Sequence, residues 1–350
     1  MACYAYKAAS SIAKQAFEGL EVVLVDDGST DYSLECFMEY LVNVKVISIR
    51  QENTGPGGAR NTGIKNASGE YIMFLDGDDF LLPNAFRNIL TVLEDERPVV
   101  LFGLYHLWSD KKGLTYTKKA STPPSDCPKS ITEHILGSQP EASWCPVRYI
   151  CRREFVLEHN IFFETNMLCE DVKWSIDLLM TVENNCGDIS FLPEPFYAYN
   201  HRRKGSTMNT YSVKRILDLN NVIVRLLKDY KYRPSLCRVL VWESFFYINE
   251  YCLFDRADRK QIIEGYRKVL PLYSLSGFLP HRIAGKFRNS PVFYVMSLVL
   301  FSVKIARRAW IHLCWVLKGK PHVEVPFYHD TDILITLAEQ VSVEAETSVV

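Results

Sequence analysis

The chain has 350 residues, 48% of them hydrophobic, and carries a formal net charge of −1 from 40 basic and 41 acidic side chains. This length and apolar content suit a folded globular protein with one large domain, or a catalytic domain with a smaller appendage. So even a balance of charge excludes nucleic acid as a partner on whole-molecule grounds and leaves only local basic patches.

The opening MACYAYKAASSIAK has no continuous apolar core between a basic head and a cleavage site, so no secretory signal is expected and the location is expected to be cytoplasmic. The cysteines are scattered without a CxxC pair and read as reduced thiols. Residues 21–25, EVVLV, predict a buried strand that stops at Asp26-Asp27-Gly28-Ser29-Thr30-Asp31. A helix over 31–42 follows, capped by Asp31, and then a strand over 44–49. The glycines and proline of QENTGPGGARN predict a loop over 51–61, with a helix from about Ala59 to Lys65. Residues 71–75, YIMFL, read as a strand running into Asp76-Gly77-Asp78-Asp79, followed by a helix starting near Pro83 and a strand over 98–104. This alternation predicts an α/β fold with a mostly parallel sheet flanked by helices.

From about 105 to 200 the pattern loosens, with a Pro/Ser/Lys-rich loop at 117–129 and helical segments near 153–159 and 170–183. Beyond Thr210 the chain reads as helical, around 212–230 and 238–253, which places a soft boundary between a domain of residues 1–210 and a C-terminal region of 211–320. Residues 281–320 hold basic side chains and no Asp or Glu, around the apolar stretch 291–303. This composition fits an interfacial helix on an anionic membrane, or equally a core helix with a solvated basic face. The tail, 321–350, is acidic and is expected either to stand alone or to fold back on that basic segment.

Polar residues directly after buried strands are the first candidates for function, because ligands of open α/β sheets sit beyond the carboxyl ends of the strands. Asp26, Asp27 and Gly28 follow the first strand, where a carboxylate can accept hydrogen bonds from a nucleobase or ribose; a capped turn explains the same residues. Asp76, Asp78 and Asp79 crowd carboxylates at one strand end, a repulsion that a divalent cation relieves. Carboxylate oxygens suit Mg²⁺ or Mn²⁺, whose shell is completed by substrate phosphates. GPGGARN supplies backbone N–H groups, a helix N-terminus and Arg60 for an anionic ligand, yet it matches neither the Walker A loop nor GxGxxG. Glu170-Asp171 opens an amphipathic segment, where a carboxylate also serves as a helix-dipole partner.

VDDGSTD at 25–31, NTGPGGARNTGI at 53–64, GEYIMFLDGDD at 69–79 and CED at 169–171 together resemble the successive motifs of the family 2 glycosyltransferases, in order and in spacing, over about residues 11–207. The resemblance implies the GT-A fold and inverting transfer from a nucleotide-sugar donor, a UDP-sugar, to a hydroxyl of a glycan or lipid-linked acceptor in surface-polysaccharide synthesis. By position it implies that Asp27 contacts the donor base, that Asp76 and Asp78 hold the metal, and that Asp171 is the catalytic base. YNHRRKGST at 199–207 resembles the family's later basic loop, which makes His201 and Arg203 candidates for closing over the diphosphate. Trp144 falls in the acceptor-side region of similar proteins, although a core tryptophan is the plainer reading. One feature departs from the pattern: similar proteins begin with an apolar strand ending in a Pro-x-Tyr-Asn-type turn, and here a first, central strand is missing. The alternative reading is therefore an N-terminally truncated, impaired member with a residual binding role.

Overall fold

The computed structural model describes residues 2–15, 19–41, 43–109, 113–117, 131–138, 144–200, 212–230 and 254–273, with single positions at 233, 236 and 240. Two compact units divide the chain, residues 1–222 and 223–350. In the first, α1 (Ala2–Ala13) buries Ala5, Ala8, Ala9 and Ile12, the spacing of one helical face. Beyond its end, Gln15 donates from Nε2 to the Leu82 carbonyl at 3.0 Å. Strand β1 (Glu21–Asp26) crosses through α2 (Ser33–Tyr40) to the parallel strand β2 (Lys45–Arg50). Helix α3 (Gly55–Asn66) leads to the short strands β3 (Tyr71–Ile72) and β4 (Phe80–Leu81), and then α4 (Ala85–Glu96).

The elements that follow are β5 (Val100–Ser109), β6 (Gly113–Thr117), α5 (Ile131–Ser138), β7 (Tyr149–Arg152), α6 (Arg153–Glu158), α7 (Glu170–Asn184), β8 (Ile189–Asn200) and α8 (Val213–Asp229). A six-stranded sheet runs in the order β3-β7-β5-β8-β4, with β6 on β5. Helix α7 is the core helix: Val172, Trp174, Ile176, Leu178, Leu179, Met180 and Val182 are all buried. The Trp174 ring lies flat on Phe163 with centroids 4.6 Å apart, and Phe74 meets both edge-on. Burying each such ring contributes roughly 1.5–3 kcal/mol. In the second unit, α9 (Arg256–Tyr273) buries Ile262, Ile263, Tyr266 and Val269 along one face.

The α/β class is as the sequence implies, and the structure corrects it in detail. The described strands form two sheets, and parallel pairing holds for β1–β2 and β5–β8 while the other four pairings are antiparallel. Strands β1 and β3 each end their sheet, so each has one ladder edge without a described partner strand. The strand expected over 71–75 pairs only at 71–72. Strands β7 and β8 give little signal in the sequence. β8 reads ISFLPEPFYAYN, and its prolines, which lack an N–H for the ladder, coincide with register shifts against β5 at Leu104 opposite Pro195. The loop expected over 51–61 is largely helical, because Pro56 occupies the first turn, where no N–H is needed, and the glycines serve close packing instead. Helix α4 starts at Ala85 rather than near Pro83 because Asn84 is left-handed, with φ 63°. The segment 238–253 lies outside the described residues except at position 240, as do 281–320 and 321–350 entirely.

Glu21, at the start of β1, accepts from both the backbone N–H and the hydroxyl of Ser68 at 2.7 Å and pairs with Lys45, so it ties β1 and β2 to the entry of β3. The Lys45 and Ser68 hydrogen bonds lower its carboxyl from 4.5 to about 2. A depressed carboxylate stabilises the fold while ionised, so its contribution is full above about pH 4.5 and is lost as pH falls towards about 2. In urea unfolding followed by circular dichroism, Glu21→Gln is expected to lag the parent at neutral pH, with the gap closing through that window. A gap that is independent of pH would contradict the linkage.

Candidate active site

The acidic turn, α3 and the start of α7 meet at one place, and one side chain joins them. Arg60, on α3, donates from Nη2 to Asp76 Oδ1 and from Nη1 to Glu170 Oε1, both at 2.9 Å. Its side chain is only 13% exposed, and the Phe163 ring lies 5.3 Å from the guanidinium carbon. Burial alone pulls an arginine down; here the charges of Asp76 and Glu170 outweigh it and hold Arg60 above its ordinary range.

Close approach of α3 makes this possible. A Cβ at Gly57 would stand 2.5 Å from the Glu164 carbonyl and 3.1 Å from Glu170 Cγ, so any side chain there pushes the helix away. Asn61 grips Phe163 at both backbone groups: Nδ2 donates to its carbonyl and Oδ1 accepts its N–H, each at 2.8 Å. From α8, Asp218 accepts the Leu168 N–H at 2.9 Å and Lys214 donates to the Asn166 carbonyl at 2.9 Å. Cys169 then turns the chain into α7 in the left-handed region, φ 65°, which sets Glu170 and Asp171 at the helix start.

The three carboxylates of the turn have different surroundings. Asp79 is buried, accepting from the Tyr197 hydroxyl at 2.6 Å and from the Asn200 N–H at 2.7 Å. Burial raises its carboxyl well above the usual range, with Asp76 and Asp78 adding to the effect. The same Tyr197 oxygen accepts the Asp76 N–H at 3.1 Å, so β8 holds the turn at two points. Asp76 keeps a side-chain exposure of 35% and Asp78 is half-buried. Asp76 and Asp78 fit a hard divalent cation as oxygen donors, whereas Asp79 is committed to the fold. Among the described residues no group of three or more His, Cys, Asp or Glu is arranged for a metal, so an ion here needs oxygens from a bound phosphate or from water. Burial pushes the Cys145 thiol up to about 12, and the charges of Asp76 and Asp171 add to the shift.

At the end of β1, Asp26 is buried, accepts the Ser29 N–H at 2.8 Å and pairs with Arg50 Nε at 3.2 Å; it closes the turn. Gly28 has φ 79°, and a Cβ there would meet the Asn53 nitrogen at 3.2 Å. Asp27 accepts at Oδ1 from Gln51 Nε2 at 2.7 Å and from the Thr54 N–H at 2.9 Å, which links the first strand end to the N-terminus of α3. Trp144 is buried in the core. His201 and Arg203 lie outside the described residues. Sequence reasoning gave no role to Tyr197 or Asn61, and read Glu170 only as part of the pair that opens a helix, not as a partner of Arg60. Tyr197→Phe removes the donor to Asp79 and the acceptor for Asp76, and is expected to cost roughly 1–3 kcal/mol in urea unfolding. An unchanged midpoint would show that the hydroxyl does not hold the turn.

The family model for glycosyl transferase family 2 matches residues 2–151. Glycosyltransferase GlyG of Streptococcus pneumoniae serotype 4 is 34% identical over 237 residues, 65% of this chain and 76% of GlyG. The uncharacterized glycosyltransferase EpsJ of Bacillus subtilis is 28% identical over 204 residues, 57% of this chain and 58% of EpsJ, so the chain spans less than two thirds of that relative. The poly(ribitol-phosphate) beta-N-acetylglucosaminyltransferase TarS of Staphylococcus aureus is 28% identical over 207 residues, 57% of this chain and 34% of TarS. A crystal structure of TarS residues 1–349 in complex with UDP-GlcNAc superposes with a TM-score of 0.64 at 18% identity, over 87% of this chain and 88% of that one, and shares its GT-A fold. The chain belongs to glycosyl transferase family 2.

Proposed function

We propose that the chain transfers a sugar from a UDP-sugar donor to a hydroxyl of a glycan or lipid-linked acceptor, with inversion, in surface-polysaccharide synthesis. The observation that carries this reading is the Arg60 bridge from Asp76 to Glu170, which sets the acidic turn beside the helix start bearing Asp171. Kinship with TarS, solved with UDP-GlcNAc, supports the choice of uridine donor.

In this reading Asp27, with Oδ1 fixed by Gln51 and Thr54, accepts an N–H of the donor base through its other oxygen. The N-terminus of α3 faces the diphosphate. Asp76 and Asp78 would hold a divalent cation, which when bound would neutralise charge growing on the departing diphosphate. Asp171 takes the proton from the acceptor hydroxyl as its oxygen attacks the anomeric carbon opposite the leaving group, and that single displacement inverts the centre. His201 and Arg203 close over the diphosphate, and 281–320 holds the protein on an anionic membrane surface at the cytoplasmic face. Among the described residues no helix is long and apolar enough to cross a membrane.

Isothermal titration with UDP is expected to show binding that Mn²⁺ strengthens and that Asp78→Ala loses. Asp171→Asn is expected to keep that binding while turnover of a UDP-sugar falls by about 10²–10⁴-fold. Absence of metal-dependent binding to UDP would sink the donor assignment. Equal liposome flotation with and without 281–320 would remove the membrane role.

A further inference from the structure

The acidic turn does not wait as a bare pair of carboxylates. Arg60 already occupies Asp76 Oδ1 at 2.9 Å, and Glu170, at 11% side-chain exposure, holds the other side of the same guanidinium. Three contacts back Arg60: the Asn61 grip on Phe163, the close approach at Gly57 and the Phe163 ring 5.3 Å from the guanidinium carbon. An incoming divalent cation therefore meets a fixed positive charge beside its own ligand, and must share Asp76 with it. Two cations around one carboxylate repel, and more strongly in a partly buried site than in bulk water.

We infer that Arg60, held by Glu170, is a positioning residue that makes cation binding conditional on the donor: it weakens the metal site of the free protein, and the donor diphosphate removes that penalty. The inference rests on the proposed metal role of Asp76 and Asp78. A diphosphate brings several negative charges between the guanidinium and the metal, and both cations are then satisfied by phosphate oxygens as well as by Asp76. The coupling is reciprocal, so the metal tightens nucleotide by the same factor by which nucleotide tightens metal. Metal and donor then enter as one unit, and the free protein does not trap cations. Glu170 has a defined share in this. It draws half of the guanidinium away from Asp76, so its charge sets how firmly Arg60 competes with the metal.

Two substitutions therefore act in opposite directions. Arg60→Gln frees Asp76, and Mn²⁺ alone is expected to bind about tenfold more tightly, with less further tightening by UDP. Glu170→Gln leaves Arg60 with Asp76 as its carboxylate partner, and Mn²⁺ alone is expected to bind several-fold more weakly, with UDP restoring more of the affinity. Free Mn²⁺ is read directly by electron paramagnetic resonance of the full chain, with and without UDP, after circular dichroism has checked each fold. Opposite shifts support the inference. Parallel losses in both variants mean that Arg60 is scaffolding alone, and unchanged affinities mean that the guanidinium does not compete; either overturns it. Should Arg60→Gln not fold, Glu170→Gln decides by itself: weaker Mn²⁺ binding with larger UDP rescue supports the inference, and anything else overturns it. If the parent chain binds no Mn²⁺ even with UDP, the metal reading itself falls and takes the inference with it.

Discussion

A buried arginine between two carboxylates is the constraint on which this site is built. Arg60, Asp76 and Glu170 come from a helix, the turn beyond β3 and the start of a second helix, far apart in the chain. Each alone would be costly at its depth, since an unpaired buried charge costs several kcal/mol. Together they satisfy one another, and the fork of the guanidinium fixes distance and angle at once. With Asp171 adjacent in sequence to Glu170, the location of the proposed base follows from the same contact.

Around this pairing the protein gives three neighbouring aspartates different lives by environment alone. Asp79 is drawn inward by Tyr197 and Asn200 and becomes part of the fold. Asp76 is shared with Arg60, and Asp78 stays half-buried at the rim. A buried hydroxyl and a backbone N–H thus anchor one member of the turn, while its neighbours stay partly exposed. At the end of β1 the same division recurs, with Asp26 closing its own turn and Asp27 reaching to the α3 N-terminus.

Much of this was legible in the sequence, and the limits have physical causes. The strand end at Asp26-Asp27 and the acidic turn after residue 75 stood out because apolar runs stop at clustered carboxylates, although residues 21–25, expected to be buried, are only half-buried. The helix over GPGGARN was misread as a loop because glycine and proline disfavour helices on average, whereas here Pro56 sits in the first turn and Gly57 is the only residue that fits against Glu164. Strand β8 was hidden by its prolines, which its register shifts against β5 accommodate. Arg60 and Glu170 were each visible, but an ion pair spanning 110 positions leaves no local pattern to find. Tyr197 looked like any strand aromatic, since only its depth and its hydroxyl contacts distinguish it.

The Asn61 contact has a consequence for how this family member tolerates change. Both of its hydrogen bonds go to backbone atoms of position 163, so the joint between α3 and the segment leading to Asp171 does not depend on which side chain stands there. The ring at 163 can be exchanged for another apolar group at a cost in core packing without loosening the joint. At 61 no such freedom exists: aspartate lacks the donor, glutamine is a methylene too long, and serine cannot span both groups. Sequence drift is thus permitted on one side of the contact and forbidden on the other, and mutational robustness in this site is set by which partner contributes its backbone.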